Sequence, residues 1–254
     1  MDDLQFDDGV PHAARIWNYW MGGTDNYEAD RAAGKAVADV YPDIVTMALE
    51  SRRFLIRVVR FLTAEAGIRQ FLDIGTGLPT MSNTHEVAQE IAPESRVVYV
   101  DNDPLVIEQS RALLGTPPGP VTYLEADYHD PEAIVAASSL DLTQPVAVMF
   151  MGVLGYVGDF ATLRSIVSRT LAPMPSGSHL VLWDGTNTSA SVNEGGAALI
   201  EAGAVPYHLR SPDQLGRCFE GLDLIPPGLT QITQWRGEPS PPSIDAHGAV
   251  ARKP

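Results

Sequence analysis

The chain has 254 residues, 44% of them hydrophobic, a length that suits one large domain or a domain with an added cap. Its formal net charge of −15, from 32 acidic and 17 basic residues, argues against a nucleic-acid partner, since phosphate backbones bind clustered Lys and Arg. No apolar run reaches the roughly 18 residues of a membrane span, the start MDDLQFDDGV is unlike a signal peptide, and the single cysteine, Cys218, suits a reducing compartment, so a cytoplasmic location is expected.

The first part of the chain, residues 1–69, is mostly helical in pattern and is expected to form an N-terminal cap. It contains the one basic cluster, SRRFLIRVVR (51–60). Arg53, Arg57 and Arg60 recur there at helical spacing, opposite apolar residues. This spacing is more typical of the solvated face of an amphipathic helix than of a nucleic-acid patch.

From residue 70 onward, short β-rich runs alternate with helical stretches. The runs are continuously apolar, which is typical of parallel strands covered on both faces. The predicted strands are QFLDIG (70–75), RVVYVD (96–101), VTYLEAD (121–127), VAVMFMG (146–152) and HLVLWDG (179–185). Because parallel crossovers need a covering helix, this order predicts a doubly wound α/β core, assigned to residues 70–235.

Helix starts within this core are marked by an N-cap oxygen followed by proline, at Asp103-Pro104, Asp130-Pro131 and Ser211-Pro212. Residues 186–208 interrupt the strand–helix order and are interpreted as an insertion. The stretch LDLIPPGLTQITQW predicts a terminal antiparallel pair joined across Pro226-Pro227-Gly228. Residues 236–254, rich in proline and small side chains, are expected to be a flexible tail.

The first predicted strand runs into a glycine turn, Gly75-Thr76-Gly77-Leu78-Pro79-Thr80. A dinucleotide-binding turn has the pattern G-x-G-x-x-G and leads at once into a helix that faces pyrophosphate. Here threonine takes the place of the third glycine, and proline delays the helix, whose best start lies near Ser82 to Thr84. The helix end is therefore set back, which suits a cofactor without phosphates and disfavours a nicotinamide oxidoreductase.

Acidic side chains mark the ends of three successive strands. Asp73 precedes the glycine turn, where it can orient the turn or receive an ammonium group. Asp101 lies 24 residues after Gly77, where a carboxylate can receive ribose hydroxyls. Asp127 closes the third strand. Each of these acids taken singly could instead cap a loop or a helix, and that alternative stays open.

These residues carry a family resemblance. LDIGTG, VDNDP and EADYHDP resemble the first three motifs of class I S-adenosylmethionine-dependent methyltransferases. Together with ARIWNYWMGGTDNYEADR (14–31) and NTHEVAQ (83–89), they resemble a bacterial S-adenosyl methyltransferase family catalogued as a domain of unknown function, over roughly residues 10–185. The resemblance implies a mostly parallel, seven-stranded Rossmann-like sheet and S-adenosylmethionine as cofactor. It leaves the methyl acceptor unidentified, and a small-molecule acceptor is our own expectation.

The cofactor-binding residues that the resemblance implies follow the first four strands: Gly75, Gly77, Asp101, Asn102, Asp127, Tyr128, Met151 and Gly152. The two turn glycines would let the backbone approach the methionine part. Asp101 would accept the ribose hydroxyls, and Asp127 would accept from the adenine amino group. Met151 and Gly152 would face the sulfonium and its methyl group.

The segment IWNYWMGGTDNY (16–27) combines aromatic residues, a Gly-Gly turn and a polar run. It could be a helix that only packs its tryptophans onto the sheet, but its polar residues favour a lid. The lid would hold the cofactor with Arg15, Tyr19, Gly22 and Gly23, and the acceptor with Trp17 and Trp20. Tyr156, after the fourth strand, is a further candidate contact of the acceptor.

A catalytic base is needed only if the acceptor loses a proton. Related sequences commonly carry histidine after the fourth strand, whereas here MGVLGYVGD has Gly155. His85 is the best remaining candidate for a catalytic residue, with His12 second. No spacing of His, Cys and acids predicts a metal site. Two functions stay open: a methyltransferase with a small oxygen or nitrogen acceptor, and a non-catalytic binding or assembly module that keeps the fold. The sequence does not indicate an oligomeric state.

Overall fold

The computed structural model describes residues 9–79, 82–114 and 120–254, which form a mixed α/β fold around one sheet. The strands in these ranges are β1 (Gln70–Ile74), β2 (Arg96–Asp101), β3 (Val121–Glu125), β4 (Ala147–Met151), β5 (His179–Gly185), β6 (Asp223–Leu224), β7 (Thr230–Gln231) and β8 (Ala246–Arg252). The helices in these ranges are α1 (Ala13–Trp20), α2 (Glu28–Val40), α3 (Asp43–Ala64), α4 (Thr84–Ile91), α5 (Pro104–Leu114), α6 (Pro131–Ala137), α7 (Phe160–Leu171), α8 (Ala190–Glu201) and α9 (Pro212–Gly216).

The strand order is β3-β2-β1-β4-β5-β8-β6, and β7 also pairs with β8. Strands β1 to β5 are parallel to one another, and β8 runs antiparallel to β5. The chain leaves β1 toward one edge and returns at β4 on the other side, so the crevice at the carboxyl ends of β1 and β4 is the switch point where such sheets bind ligands. The predicted doubly wound, mostly parallel sheet is confirmed.

The structure describes eight strands where the resemblance implied seven, because two short strands, β6 and β7, both pair with β8. Strand β6 pairs with β8 at Ala251–Arg252, and β7 pairs with the same strand at His247–Gly248. The segment that contains Pro226 and Pro227 separates them, and proline cannot donate to a strand ladder. The prediction that these two segments pair with each other is therefore wrong, since each pairs with β8.

The predicted flexible tail is also wrong, because it contributes the antiparallel strand of the sheet. All seven residues of β8 pair with β5, and Ala249, Val250 and Ala251 are fully buried. Small side chains let this strand fit closely: a Cβ on Gly248 would lie 2.5 Å from the Cβ of Trp183. The core therefore extends past residue 235, and the composition that suggested disorder instead suits close packing.

Alternate residues of the central strands pack into separate cores on the two faces of the sheet. Phe71, Tyr99 and Met149 face helices α1 to α4 and α8, whereas Leu72 and Phe150 face α6 and α7. The predicted insertion contains α8, which packs against α2. The N-terminal helices and α8 thus cover the same face of the sheet, above the carboxyl ends of its strands.

Helix starts follow the predicted caps. Asp130 accepts from the Ala133 amide at 3.1 Å, and Ser211 accepts from the Gln214 amide at 3.2 Å. Helix α4 begins at Thr84, within the predicted range. In α3, Arg57 departs from the predicted solvated face: it donates to the carbonyls of Ile232 at 2.6 Å and Trp235 at 3.0 Å, which attaches α3 to the C-terminal part of the chain.

Candidate functional site

A cavity of about 440 Å³ lies at the carboxyl ends of the parallel strands, beneath α1 to α3 and α8. It has a polar end near β1 and β2 and an apolar end near β4, β5 and α8. Of the residues predicted to form a site, those that line it are Trp17, Trp20, Asp73, Gly75, Gly77, Asp101, Asn102, Tyr128, Met151, Gly152 and Tyr156. The structure thus brings most of the candidate residues together.

The glycine turn after β1 has the conformation that its sequence requires. Gly75 and Gly77 have φ values of +72° and +60°, in the left-handed region that favours glycine. A Cβ on Gly75 would lie 2.2 Å from a methyl carbon of Val153, so the loop after β4 approaches this backbone closely. A Cβ on Gly77 would contact only Ala14, at 3.8 Å, which leaves space for a ligand beside that residue.

Asp101 organises the polar end. Its Oδ2 accepts from the Gly77 amide at 3.0 Å and its Oδ1 from the Asp103 amide at 3.1 Å. The carboxylate therefore holds the glycine turn and the start of the next loop, as the loop-capping alternative predicts. It also lines the cavity, and each oxygen can accept a second hydrogen bond. Burial raises the pKa of Asp101, and the hydrogen bonds from the Gly77 and Asp103 amides oppose that rise.

Asp73 lies deeper, in β1, and is only 4% exposed. It accepts from the Thr84 hydroxyl at 2.7 Å. Burial raises the pKa of Asp73 to about 6, and the Thr84 hydrogen bond and the charge of Arg52 oppose that rise. This end of the cavity therefore holds a buried carboxylate with one hydroxyl donor and with a cation, Arg52, close enough to influence its pKa.

Arg52 is a cavity residue that the sequence reasoning missed. Among the residues the structure describes, its guanidinium has no hydrogen-bond partner, although the negative charge of Asp73 acts on it. Burial lowers the pKa of Arg52. One signal in the sequence could have found it: Arg52 follows the fully buried Ala48 by four residues and precedes Val59 by seven, which places an arginine on the apolar side of α3.

The apolar end begins where β4 stops. Gly152 has a φ of +79°, and a Cβ there would lie 2.6 Å from the ring of Trp183. Across the cavity, the rings of Trp17 and Trp183 lie 6.0 Å apart between centroids. Trp20 lines the same region and donates its indole N–H to the Gly34 carbonyl at 3.0 Å. Beyond these aromatics the cavity continues between α2, α3 and α8.

A second buried carboxylate lies at this end. Asp184, in β5, is 1% exposed and accepts from the Tyr207 hydroxyl and from the Gly155 amide. Its Oδ2 has no hydrogen-bond partner within the described part of the chain. Burial raises the pKa of Asp184 to about 7, and the hydrogen bonds from Tyr207 and Gly155 oppose that rise. The sequence reasoning included Asp184 in a strand but gave it no role.

Comparison with known proteins identifies the family. A family model described as S-adenosyl methyltransferase matches residues 2–254. This chain belongs to the S-adenosyl methyltransferase family. S-adenosylmethionine is the cofactor of that family, and so the predicted cofactor and the predicted family are both confirmed.

Solved structures agree with this membership. A DUF574 family protein from Streptomyces avermitilis is 42% identical, with a TM-score of 0.92 over 98% of this chain and 99% of that chain. A protein of Thermobifida fusca provisionally assigned as a methyltransferase is 35% identical, with a TM-score of 0.89 over 97% of this chain and 96% of its own. Mitomycin 7-O-methyltransferase, 16% identical with a TM-score of 0.52 over 94% of this chain and 68% of its own, shares the fold alone. No functionally curated protein matches the sequence.

The residues of the polar end fit the family's cofactor. S-adenosylmethionine carries an amino-acid group, a ribose and a sulfonium, and no phosphate. Arg52 and Asp73 offer opposite charges to the amino-acid group, and Asp101 offers acceptor positions to ribose hydroxyls. Because α4 begins only at Thr84, its N-terminus is set back from the glycine turn, as a cofactor without phosphate allows.

The predicted lid of this family member is built differently, since Arg15, Tyr19, Gly22 and Gly23 do not line the cavity. Arg15 is buried and pairs with Asp30 at 2.7 Å, so its charge is already neutralised within the cap. The ring of Tyr19 packs against Gly34. Arg15 and Tyr19 thus connect α1 with α2. The residues of the segment that line the cavity are Ile16, Trp17, Trp20 and Met21.

His85 is likewise not at the cavity. Its ring Nδ1 lies 2.8 Å from the Tyr99 hydroxyl, which also accepts from the His85 amide at 2.9 Å. Burial lowers the pKa of His85, which favours the neutral ring. A catalytic role for His85 stays a prediction that this position does not favour, since the contacts of the ring are packing contacts. His12, the second candidate, does line the cavity and pairs with Asp103 at 2.6 Å.

Asp127 is exposed at the rim of the cavity. Its Oδ1 accepts from the His129 amide at 2.9 Å and lies 2.8 Å from the His129 ring. The residues on either side, Ala126 and Tyr128, line the cavity, whereas Asp127 does not. A direct contact of this carboxylate with adenine thus stays a prediction that needs a different side-chain orientation.

Within the described ranges, no group of three or more His, Cys, Asp or Glu side chains is arranged to hold a metal ion. No helix described for this chain is long and apolar enough to cross a membrane.

Proposed function

We propose that this protein transfers a methyl group from S-adenosylmethionine to a small molecule with an apolar body. The observation that carries the proposal is one continuous cavity with a charged end and an apolar end. The charged end suits the polar cofactor, and the apolar end gives the acceptor a place beside it. We also propose a cytoplasmic location, from the cysteine content, and no nucleic-acid substrate, from the net charge of −15.

At the charged end, we assign the carboxylate of the cofactor to Arg52 and its ammonium group to Asp73. The unpaired guanidinium of Arg52 supports the first assignment, and the buried carboxylate of Asp73 supports the second. Asp101 would accept ribose hydroxyls with the lone pairs that its amide hydrogen bonds leave free. Asn102 and Tyr128 would lie beside the adenine, where both line the cavity.

At the apolar end, Met151 and Gly152 would face the sulfonium. The acceptor chamber beyond them is lined mainly by side chains of α2, α3 and α8: Val37, Tyr41, Ile44, Met47, Val192 and Leu199. Such a surface binds a small compound by excluding water from its apolar part. Trp17 and Trp20 close the chamber on the side of the cap.

S-adenosylmethionine, when bound, supplies a methyl group that its positive sulfur already activates. The main task of the protein is then to hold the acceptor atom in line with that methyl group. Orientation of this kind contributes roughly 7–11 kcal/mol toward lowering a reaction barrier. Trp17, Trp183 and Tyr156 line the cavity at this end, and in this proposal their rings would hold the acceptor beside Gly152.

A non-catalytic binding module remains the second candidate, motivated by Gly155 at a position where related sequences commonly carry histidine. The two candidates share the cofactor and differ in turnover. A screen of small hydroxyl and amine compounds with S-adenosylmethionine labelled in its methyl group separates them. Transfer of label to a small molecule supports the enzyme, and cofactor binding without transfer to any compound supports the module.

Calorimetry tests the cofactor assignment with two neighbouring arginines. Arg52→Gln should lower the affinity for S-adenosylmethionine roughly tenfold to hundredfold, because it removes a charge-assisted hydrogen bond worth about 1.5–3 kcal/mol. Arg53→Gln is the matched control: Arg53 is exposed, pairs with Glu50 and does not line the cavity, so affinity should stay within twofold. Equal losses of affinity in the two variants would show that Arg52 does not contact the cofactor.

A further inference from the structure

The ring of Tyr207 occupies the space that a side chain at Gly155 would need. A Cβ on Gly155 would lie 2.1 Å from the ring carbon that bears the Tyr207 hydroxyl. Gly155 belongs to the turn after β4, whereas Tyr207 follows α8, so two distant segments share one position at the apolar end of the cavity. The space beside Gly155, which has no side chain, is thus filled by the phenol ring of Tyr207 from another part of the chain.

The Tyr207 hydroxyl lies between the cavity and a buried carboxylate. It donates to Asp184 Oδ1, accepts from the Gly185 amide at 3.3 Å and lies 3.3 Å from the Gly152 carbonyl. Tyr207 lines the cavity, but Asp184 behind it does not. A proton taken up at the cavity could therefore reach Asp184 through the phenol oxygen, in a chain of two hydrogen bonds.

We propose that Tyr207 is the catalytic residue that accepts the proton of the methyl acceptor, with Asp184 as the positioning residue that takes up the phenol proton. The inference rests on the proposed methyl transfer and deepens it, because it assigns the acceptor to hydroxyl compounds, whose oxygen loses a proton on methylation. Tyr207 also lies close to Gly152, the residue assigned to the methyl group.

The step balances without a further reactant. A bond forms between the acceptor oxygen and the methyl carbon as the bond from sulfur to that carbon breaks. The acceptor O–H proton moves to the phenol oxygen of Tyr207, and the Tyr207 proton moves to the carboxylate of Asp184. The positive charge of the sulfonium and the negative charge of Asp184 are both lost, and the carboxyl later releases its proton to water.

Burial raises the pKa of Asp184 to about 7, so at neutral pH this carboxyl can exist in both protonation states. The titratable and charged groups around it are Tyr128, Tyr156, Tyr207, Arg210 and Cys218. Arg210 donates to the carbonyls of Leu154 and Val157 and so does not neutralise Asp184 directly. The free Oδ2 of Asp184 offers a position for the arriving proton.

Tyr207→Phe is the first test, because it keeps the ring and removes only the hydroxyl. With a hydroxyl acceptor found in the labelled-methyl screen, kcat should fall roughly 100-fold to 1,000-fold, within the range of general base catalysis. The calorimetric Kd for S-adenosylmethionine should stay within twofold. The wild-type rate should rise with pH through about 7, and Asp184→Asn should abolish that rise.

A second test exploits the shared space and includes a readout on the protein without cofactor. Gly155→His alone should lower the Tm by roughly 2–8 °C, since its side chain overlaps the Tyr207 ring. In the Tyr207→Ala background, the histidine side chain of Gly155→His has room beside Asp184. The double variant should have a higher Tm than Tyr207→Ala alone and a kcat at least tenfold higher, because imidazole is itself a general base.

The matched control is Gly158→His in the same Tyr207→Ala background. Gly158 lies in the same loop, but a Cβ there would meet only His208, and the residue does not line the cavity, so neither Tm nor kcat should recover. If the wild type transfers methyl groups and Tyr207→Phe keeps kcat within threefold with an unchanged pH profile, the inference is overturned while the proposed function stands. A wild type that transfers to no compound overturns both.

Discussion

Each end of the cavity has a buried carboxylate near it, Asp73 in the lining of the charged end and Asp184 behind Tyr207 at the apolar end, and the two are held differently. Asp73 accepts from the Thr84 hydroxyl and lies within reach of the charge of Arg52, whereas Asp184 accepts from the Tyr207 hydroxyl and keeps one oxygen without a partner. Burial raises the pKa of Asp73 to about 6 and that of Asp184 to about 7. Each carboxylate has a cation that favours its ionised form, Arg52 near Asp73 and Arg210 near Asp184. They differ in their access to the cavity: Asp73 lines it, which suits binding of an ammonium group, whereas Asp184 lies behind the Tyr207 hydroxyl, through which it could exchange a proton.

The largest effect is expected from the cap that covers both ends. Arg15→Ala leaves Asp30 buried without its partner, and loss of one member of a buried pair costs about 3–5 kcal/mol of unfolding free energy. Denaturant unfolding measures this loss. Lys35→Ala is the matched control, because its pair with Asp39 is exposed and should contribute less than about 1 kcal/mol. If Arg15→Ala kept normal stability but bound the cofactor much more weakly, Arg15 would contact the cofactor, as the sequence analysis predicts for the lid.

Asp101→Ala tests the charged end alone. The loss of acceptors for ribose hydroxyls should weaken S-adenosylmethionine binding about tenfold to a thousandfold, measured by calorimetry. The amides of Gly77 and Asp103 also lose their acceptor, so the protein without cofactor should be less stable by about 1–3 kcal/mol. Asp101→Asn should lose less of both, because its amide oxygen can still accept. A stability loss with unchanged affinity would show that Asp101 only organises the loop.

Asp184→Asn tests the apolar end through pH. The raised pKa of Asp184 means that the folded state binds a proton which the unfolded state releases, so this group stabilises the fold below about pH 4 and the contribution is lost as pH rises toward 7. The difference in unfolding free energy between wild type and variant should therefore change by up to about 1.4 kcal/mol per pH unit in this window, with the variant gaining relative to the wild type. Urea unfolding at several pH values measures it, and a constant difference would contradict a raised pKa.

His85→Gln should have the smallest effect on function. The ring lies away from the cavity and contacts Tyr99, so its loss should cost about 1 kcal/mol of stability and leave kcat and cofactor affinity within twofold. Thermal melting and the methyl-transfer rate measure the two quantities. If a stably folded His85→Gln protein lost kcat a hundredfold, His85 at the charged end would be the catalytic base, and proton transfer would not belong to Tyr207 and Asp184.

Much of the charged end was predictable because its signals are local in the chain. Apolar runs predicted β1 to β5, and an oxygen followed by proline marked the starts of α5, α6 and α9. The positive φ values of Gly75 and Gly77 follow from a turn that only glycine adopts easily, and the set-back start of α4 follows from Pro79. Asp101 was found because parallel strands end at one edge of the sheet.

Tertiary structure decided the rest, because the deciding contacts join residues far apart in the chain. Strand β8 has small side chains without a strong β signal, and pairing along β5 orders it. The packing of α1 and α3 determines that Arg52, and not Arg15, lines the cavity. Arg15 forms an ion pair with Asp30, whereas Arg52 has no hydrogen-bond partner among the described residues. Tyr207 follows α8, which packs on α2, and contacts Gly155 and Asp184 in the folded chain, and no periodicity in the sequence encodes those contacts.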